Sequence, residues 1–391
     1  MGPIAATETI DSSANPHSGS PGKRTAFYRP ELDSLRFLAF LLVFLSHSLG
    51  GVTGPLQTFK ISASLGVCLF FLLSAYLICE LLQREHSQFG TVNLRAFYIR
   101  RILRIWPLYF ALLILDFTLD AIFRPGAFTV GRLLASFFLV GNWYAAIYGL
   151  TKTFTNPLWS ISVEEQFYLV WPTVRKLLNA KALIALSVAV FAGSYLTLYV
   201  LTRSPIGGDV AFWKARVWVN SLVQFQYFST GCLLALGLRG QIPRYPAALR
   251  CVVFLAGLAA LFATQQLFHF KDDLYPVSFG SLAGAYFLGN IACLLLFLSV
   301  LGEDRLGQWK PIVYLGKISY GLYVFHLAML TIVYRLLHRA EGTLGQTAFV
   351  TIRGLAALAL TIGIASLSYR YFEAPILRYK RRFERIVTRP V

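Results

Sequence analysis

Charged side chains are scarce in this 391-residue chain, where Asp, Glu, Lys and Arg together make up 14% of the residues. Soluble globular domains carry about 25%, whereas this chain is 56% apolar and has a mean hydropathy of +0.60. Several apolar runs of about 20 residues are each long enough to cross a bilayer. The composition therefore excludes a soluble domain and predicts a polytopic membrane protein.

Acidic residues are the scarcer of the two charge types, with 18 Asp and Glu against 36 Lys and Arg, a formal net charge of +18. Most basic residues lie in short segments between apolar runs, which is typical of cytoplasmic loops rather than of a nucleic-acid site. The five cysteines have no paired or metal-like spacing. The motifs GxxxxGK[ST], GxGxxG and GxSxG are all missing. We therefore expect no metal, no permanently bound cofactor and no nucleic-acid partner.

Ten apolar segments predict an all-α transmembrane bundle: 35–52, 62–83, 106–123, 159–176, 182–202, 219–238, 250–268, 279–301, 312–336 and 347–371. A further segment, 132–149, is short and carries Gly141 and Asn142 at its centre, which favours a re-entrant or surface helix. Ten spans with both termini in the cytoplasm place most Lys and Arg inside. We predict a disordered cytoplasmic tail over 1–27, one transmembrane domain over 28–377 and a basic cytoplasmic tail over 378–391.

The first span contains three ionisable residues, Asp33, Arg36 and His47, and such residues inside a span mark functional sites. Arg36 and His47 are 11 residues apart, so they share one helix face within about 20° and lie about 16 Å apart in depth. This spacing predicts a stripe with a cation at the cytoplasmic edge and an imidazole well inside. Alternatively, Arg36 snorkels to lipid headgroups with Asp33 as its i,i+3 partner, and His47 bonds a neighbouring carbonyl.

The stretch FYIRRILRIWPLYF groups Arg100, Arg101 and Arg104 immediately before a span. Guanidinium groups bind phosphate oxygens bidentately, so this cluster suits a multiply phosphorylated ligand. A plain positive-inside collar is the alternative.

Two carboxylates lie near the start of a span in NPLWSISVEEQFYLVWP. Ser162 and Glu165 fit a capping box, which gives Glu165 a structural role. Glu164 lies one turn from Ser160 and faces another side, so Glu164 is the better candidate for catalysis or for orienting an acceptor hydroxyl.

Two further stretches carry polar groups within spans. KISYGLYVFHLAML places Tyr320, Tyr323 and His326 at i, i+3 and i+6, which can line one side of a cavity, although a buried histidine is often a satisfied core residue. In SYRYFEAP, Arg370 and Glu373 can pair with each other.

These motifs, in this order, resemble the membrane-bound acyltransferase-3 family, which modifies polysaccharides, lipids and antibiotics with acyl-CoA donors. The likeness runs from about Leu32 to Pro375 and rests on LDSLR with R-x10-H spacing, FFLLSAYLI, FYIRRILRIWPLY, LWSISVEEQFYLVWP, ISYGLYVFH and YRYFEAP. Ser34 and Ala75 stand where the family usually has Gly.

The resemblance implies that His47 is the essential histidine with Arg36 as its companion, and that Arg100, Arg101 and Arg104 hold the CoA phosphates. It also implies a bacterial inner-membrane enzyme that uses acyl-CoA, with acetyl-CoA the expected donor. Polysaccharide, lipid-linked sugar, Nod-factor-like oligosaccharide and macrolide acceptors all fit.

We predict that a neutral His47 imidazole acts as general base, that Glu164 orients His47 or the acceptor, and that hydroxyl groups stabilise the oxyanion. A covalent acyl-enzyme on Ser160 or Ser162 is an alternative. A transporter or permease is the main rival function, because intramembrane charges also build substrate paths. A non-catalytic assembly partner, and an enzyme for succinyl, propionyl or branched acyl groups, are further alternatives.

Overall fold

The computed structural model describes residues 27–124, 128–203, 210–270, 278–340 and 345–386. These ranges contain helices and connecting turns and no β-strand, so the all-α prediction is confirmed. The α-helices, numbered in chain order, are α1 Pro30–Ser48, α2 Pro55–Ala63, α3 Gly66–Phe89, α4 Leu94–Phe123, α5 Val130–Phe137, α6 Gly141–Tyr148, α7 Trp159–Leu177, α8 Ala180–Arg203, α9 Val210–Trp218, α10 Ser221–Leu238, α11 Ala247–Phe268, α12 Phe279–Val300, α13 Asp304–Gln308, α14 Lys310–Lys317, α15 Ser319–Leu337, α16 Gln346–Ser368 and α17 Ala374–Lys380.

Within the described residues, eight helical stretches are long and apolar enough to cross a membrane, which makes this a multi-pass membrane protein. They are Pro55–Phe89, Leu94–Phe123, Ala180–Arg203, Val210–Leu238, Ala247–Phe268, Phe279–Val300, Ser319–Leu337 and Gln346–Phe383. The remaining two predicted spans correspond to α1 and α7, each of 19 residues. Both carry several ionisable side chains that lower their apolar character, and these side chains are the ones that the sequence singled out.

The predicted 132–149 segment is divided into two eight-residue helices, α5 and α6. The chain turns sharply between them, and Leu139 has a positive φ of 58°. Neither helix is long enough to span a bilayer, which needs about 20 residues. The segment instead lies against the ends of α4 and α7 and helps to form one end of the bundle.

Helix α3 is the centre of the bundle, with α1, α7, α10 and α12 packed around it. Close approach depends on small residues, as is usual between membrane helices. A Cβ atom at Gly66 of α3 would lie 2.6 Å from the Ala39 carbonyl oxygen of α1, and one at Gly231 of α10 would collide with the Leu72 carbonyl. Helices α8, α11 and α16 are peripheral and expose leucine and valine side chains on their outer faces, as lipid contact requires.

The two ends of the described chain meet at one end of the bundle. A π-helical turn, Tyr369–Glu373, leads from α16 into α17, and a 3-10 turn, Arg381–Phe383, follows. These last elements pack on α4, so the described part of the predicted basic tail is held against the domain. Phe27 is buried beside Leu81 and Ile386. Residues 1–26 of the predicted 1–27 tail, and residues 387–391, lie outside the described residues.

Candidate active site

A deep cavity opens between α1, α3, α4, α7, α15 and α17, with about 1330 Å³ of unfilled space including its mouth. Six basic side chains line it: Arg29, Arg36, Arg100, Arg101, Arg104 and Lys380. Among its described lining residues, Glu164 carries the only carboxylate. We call the end of the bundle that holds these cations the basic end. A cavity with this imbalance favours an anionic ligand.

Arg101 and Arg104 are the cations most available to a ligand. Neither has an ion-pair partner within 4 Å among the described residues, and Arg101 lies over the rings of Phe97 and Tyr168, 5.3 and 5.4 Å from their centroids. Arg100 differs, because its Nη1 donates to the Phe383 carbonyl at 2.5 Å and its Nη2 is 3.6 Å from Glu85 Oε2. Arg100 therefore also holds the segment around Phe383 against α4.

Arg36 pairs with Asp33, as the second interpretation of the sequence predicted. Its Nη1 donates to Asp33 Oδ1 at 2.6 Å, and the Tyr28 hydroxyl donates to Asp33 Oδ2 at 2.9 Å. Asp33 is fully buried, yet Arg36 still lines the cavity. The pairing and the cavity position are thus compatible, with Asp33 holding the guanidinium in place.

The inner part of the cavity contains two hydroxyl groups in direct contact. Ser160 Oγ on α7 and the Tyr323 hydroxyl on α15 lie 2.6 Å apart, and each lies 3.0 Å from the Pro157 carbonyl oxygen. The carbonyl can only accept, so one hydroxyl donates to it and the other hydrogen bond joins the two hydroxyls. Tyr320, one turn away, also lines the cavity and donates to the Ile105 carbonyl at 2.8 Å.

Glu164 projects into the same cavity from α7. Its Oε1 accepts from Ser74 Oγ at 3.2 Å and its Oε2 from the Tyr168 hydroxyl at 2.9 Å. Both partners also line the cavity. This carboxylate is therefore fixed by two donors and faces the space between the cations and the Ser160–Tyr323 pair.

His47 and His326 form a pair beyond the inner end of the cavity. His326 is fully buried, its Nδ1 is 2.5 Å from the Tyr323 carbonyl, and its Nε2 is 3.3 Å from His47 Nδ1. Because a carbonyl only accepts, His326 carries its hydrogen on Nδ1, which makes its Nε2 an acceptor. His47 Nδ1, also 2.9 Å from the Val43 carbonyl, then carries a hydrogen, and Nε2 is the basic nitrogen of His47.

The position of His47 differs from the expectation of an imidazole well inside the span. Helix α1 ends at Ser48, so His47 lies in its last turn with an exposed side chain, at the end opposite Arg36. It is not among the residues that line the cavity, and it connects to that cavity through His326 and Tyr323. The sequence placed the two α1 residues correctly on one helix, but the helix is shorter at this end than the predicted span 35–52.

Several other predicted residues lie outside the cavity. The proposed capping box is wrong, because α7 begins at Trp159, three residues before Ser162, and Glu165 instead accepts from the Trp106 indole nitrogen at 3.1 Å. Glu373 is buried and accepts from Ser368 Oγ at 3.1 Å.

The Arg370–Glu373 pair is likewise not formed. Arg370 is exposed and lies over the Tyr371 ring, 5.3 Å from its centroid. The π-helical turn changes the i,i+3 spacing on which that pairing depended.

Several polar lining residues were not singled out by the sequence, among them Arg29, Ser74, Tyr168 and Lys380. Ser74 and Tyr168 lie within the motifs FFLLSAYLI and LWSISVEEQFYLVWP, and Tyr168 is one helical turn from Glu164. Arg29 and Lys380 flank the first and last helices and were counted only as loop charges. Their convergence depends on tertiary packing, which charge counting does not reveal.

The geometry defines a membrane protein with a cation-rich cavity that leads to a hydroxyl pair, a fixed carboxylate and two histidines. Within the described part of the chain, no cluster of His, Cys, Asp and Glu could hold a metal ion. The family profile described as an acyltransferase domain matches residues 29–370. The chain therefore belongs to the acyltransferase-3 family, as its motifs indicated.

Several relatives with assigned names match most of this chain. The peptidoglycan O-acetyltransferase OatA of Listeria monocytogenes is 27% identical over 89% of this chain and 56% of its own length. The Bacillus subtilis protein YrhL is 27% identical over 89% of this chain and 55% of its own length, and a Staphylococcus aureus relative over 89% and 57%. The chain thus spans a little over half the length of these relatives. No solved structure matches it.

Proposed function

We propose that this protein is an O-acetyltransferase of a bacterial inner membrane that transfers an acetyl group from cytoplasmic acetyl-CoA to a hydroxyl group of a carbohydrate. The observation that supports this proposal most strongly is the main cavity. Six cations line it, and it extends to the Ser160–Tyr323 hydroxyl pair. Family membership supports acyl transfer, and the name of the Listeria relative supports peptidoglycan as the acceptor.

The donor binds with its phosphates at the basic end. Arg101 and Arg104 supply guanidinium groups without protein carboxylate partners in the described chain, which suits a polyanion. Arg29, Arg36 and Lys380 complete the positive rim. The positive-inside rule supports a cytoplasmic position for this end, where acyl-CoA is made. The pantetheine arm then extends between the apolar side chains of α3 and α4 toward Ser160 and Tyr323.

The chemistry occurs near the Ser160–Tyr323 pair. The acceptor oxygen attacks the thioester carbonyl carbon while His47 Nε2 takes its proton, and His326 holds the His47 imidazole through the Nδ1 contact. One hydroxyl of the Ser160–Tyr323 pair turns its hydrogen from the Pro157 carbonyl to the developing oxyanion, while the other hydrogen bond still joins the pair. The C–S bond then breaks, and the CoA thiolate takes the proton from the imidazolium, which leaves the ester and free CoA.

Ser160 provides an alternative order of the same reaction. Its Oγ lies 2.6 Å from the Tyr323 hydroxyl and could be acylated first, with the acceptor attacking the Ser160 ester afterwards. Glu164 serves either order by holding the acceptor hydroxyl or the pantetheine amide at a fixed distance from the hydroxyl pair. Acyl groups longer than acetyl would use the same machinery and differ only in pocket fit.

The test is acetyl transfer in membranes supplied with labelled acetyl-CoA and a peptidoglycan acceptor. We expect His47→Ala to lower transfer by about 100- to 10,000-fold, the usual contribution of a general base, at an unchanged protein level on immunoblots. His338→Ala is the matched control, because His338 is exposed and bonds only its own helix turn. Near-normal transfer by His47→Ala would refute the base assignment, whereas solute flux without acyl-CoA would favour a transporter.

A further inference from the structure

A second, smaller cavity lies on the other face of the first turn of α7, with about 40 Å³ of interior space that widens to about 440 Å³ when its open mouth is included. Trp159 and Ser162 line this cavity, whereas Ser160 and Ile161 line the main one. Positions 160 and 162 are about 200° apart around a helix, so one helix, about 10–12 Å thick with side chains, separates the two spaces. Leu113 of α4 lines the second cavity about 13 Å along the axis from Arg104.

The charge of the second cavity contrasts with that of the main one. Arg132 is the single charged residue among its described lining residues. Its guanidinium contacts Asp116, lies 2.5 Å from Asp120 Oδ2, and is 3.4 Å from Thr153 Oγ1. The same two buried carboxylates also pair with Arg124, so two cations and two carboxylates balance one another here. The second cavity offers a phosphate no uncompensated charge, and it suits a neutral ligand.

The walls of the second cavity are held rigidly. The ion cluster around Arg132 fixes α5 to the end of α4. Asn142 of α6 is buried, its Nδ2 donates to the Val219 carbonyl at 3.1 Å and to Ser221 Oγ at 2.8 Å, and its Oδ1 accepts from Gln166 Nε2 at 2.9 Å. These bonds tie α6 to α7 and α10. The cavity is therefore formed before any ligand arrives, which reduces the entropic cost of binding.

Neutral hydrogen-bonding groups project from those walls. Ser162 is fully buried, and its Oγ, although close to the Tyr109 hydroxyl, makes no hydrogen bond of ordinary geometry with a described residue. The side-chain amide of Asn156 and the indole nitrogen of Trp159 likewise have no partner in the described ranges, and both residues line the cavity. The ring of Tyr144 forms another wall. Aromatic faces beside neutral donors and acceptors match the apolar faces and hydroxyls of a sugar ring.

We propose that the second cavity is a carbohydrate subsite: one sugar ring of an oligosaccharide acceptor rests at its mouth, and a substituent of that ring enters the interior. This inference rests on the proposed function, because it names where the acceptor glycan binds. When one ring lies against Tyr144 and Asn156, the next rings of the chain can extend around the first turn of α7 toward the Ser160–Tyr323 pair. That distance is about one helix diameter, which several linked rings span and a monosaccharide does not. The subsite therefore selects oligosaccharides.

The test is isothermal titration of the purified full-length protein with chitopentaose, a neutral β-1,4-linked oligomer of N-acetylglucosamine, and separately with acetyl-CoA. We expect chitopentaose to bind, and N-acetylglucosamine to bind at least tenfold more weakly. Tyr144→Leu and Asn156→Ala should each weaken chitopentaose binding by about tenfold, the value of one lost contact, with acetyl-CoA binding within twofold of wild type. Tyr148→Leu is the matched control, because Tyr148 is 70% exposed, stacks on Tyr144 and does not line the cavity.

Unchanged acetyl-CoA binding in the variants shows that they are folded, so a loss of glycan binding is local. The inference is overturned if wild type does not bind chitopentaose, or if Tyr144→Leu and Asn156→Ala bind it as wild type does. It is also overturned if Tyr148→Leu weakens binding as much as Tyr144→Leu. If chitopentaose binds as expected and acetyl-CoA does not bind at all, the subsite is supported and the donor assignment under Proposed function fails instead.

Discussion

Replacing Arg104 with Gln should weaken acetyl-CoA binding without much change in kcat. Arg104 lines the main cavity and has no ion-pair partner within 4 Å in the described ranges, so its charge is available to a donor phosphate. A hydrogen bond to a charged group contributes about 1.5–3 kcal/mol net. At about 1.4 kcal/mol per factor of ten, the KM for acetyl-CoA should rise about 10- to 100-fold. The reacting thioester lies beyond this residue, so kcat should stay within about threefold.

The assay is initial-rate acetyl transfer in proteoliposomes over a range of acetyl-CoA concentrations. Arg378→Gln removes the same charge from the same end of the bundle, but Arg378 is exposed on α17 and does not line the cavity. A small KM change for Arg378→Gln, against a large one for Arg104→Gln, separates direct contact from general electrostatic attraction, which salt screens. Equal KM changes in the two variants, or a fall in kcat with an unchanged KM, would refute a phosphate contact at Arg104.

Two further substitutions distinguish a residue that stabilises the fold from one that takes part in the reaction. Arg100→Gln should lower the free energy of unfolding by about 1.5–3 kcal/mol, because the buried Glu85 loses one cation while it keeps the Asn93 N–H and Arg385; a thermal unfolding midpoint equal to wild type would contradict this. Glu164→Gln should lower kcat about 10- to 100-fold with the donor KM nearly unchanged. Glu165→Gln is its control, since an amide oxygen still accepts from Trp106; equal rates in the two variants would show that the Glu164 carboxylate is not needed.

Residues close together in sequence could be placed from the sequence because helix geometry fixes their relation. Arg100, Arg101 and Arg104 follow one another on α4, and all three line the cavity as their spacing indicated. Tyr320 and Tyr323 are one turn apart on α15 and line the same cavity. The periodicity of an α-helix is a local property, so it needs no knowledge of the rest of the fold.

Contacts between distant segments could not be predicted in this way. The Ser160–Tyr323 pair and the His47–His326 pair each join helices far apart in sequence. Their formation depends on helix packing in three dimensions, which one sequence does not specify. Lys380 illustrates the same limit, because only the fold of α17 against α4 brings it to the cavity.

The capping-box prediction, which used only neighbouring residues, was wrong because a preceding 3-10 turn moves the start of α7. Ser162 and Glu165 match the capping-box pattern, but the 3-10 turn Asn156–Leu158 starts the helix at Trp159 and leaves Ser162 inside it. The side chain that would have capped the helix therefore faces the second cavity. The helix begins about one turn earlier than the capping box predicts, so the Ser162 hydroxyl is not beside the unpaired N–H groups at the helix start.

The distribution of charge gives a physical reason for two cavities on one helix turn. A phosphorylated donor is attracted by cations that have no protein partner, such as Arg101 and Arg104. A neutral glycan gains little from such cations, and it would have to displace the water that solvates them. Around Arg132 the protein supplies its own carboxylates, so the second cavity is electrically balanced before a ligand enters. If both proposals hold, the donor and the glycan approach α7 from opposite sides, and the glycan reaches Ser160 around the first turn of the helix, because Ser160 lines only the main cavity.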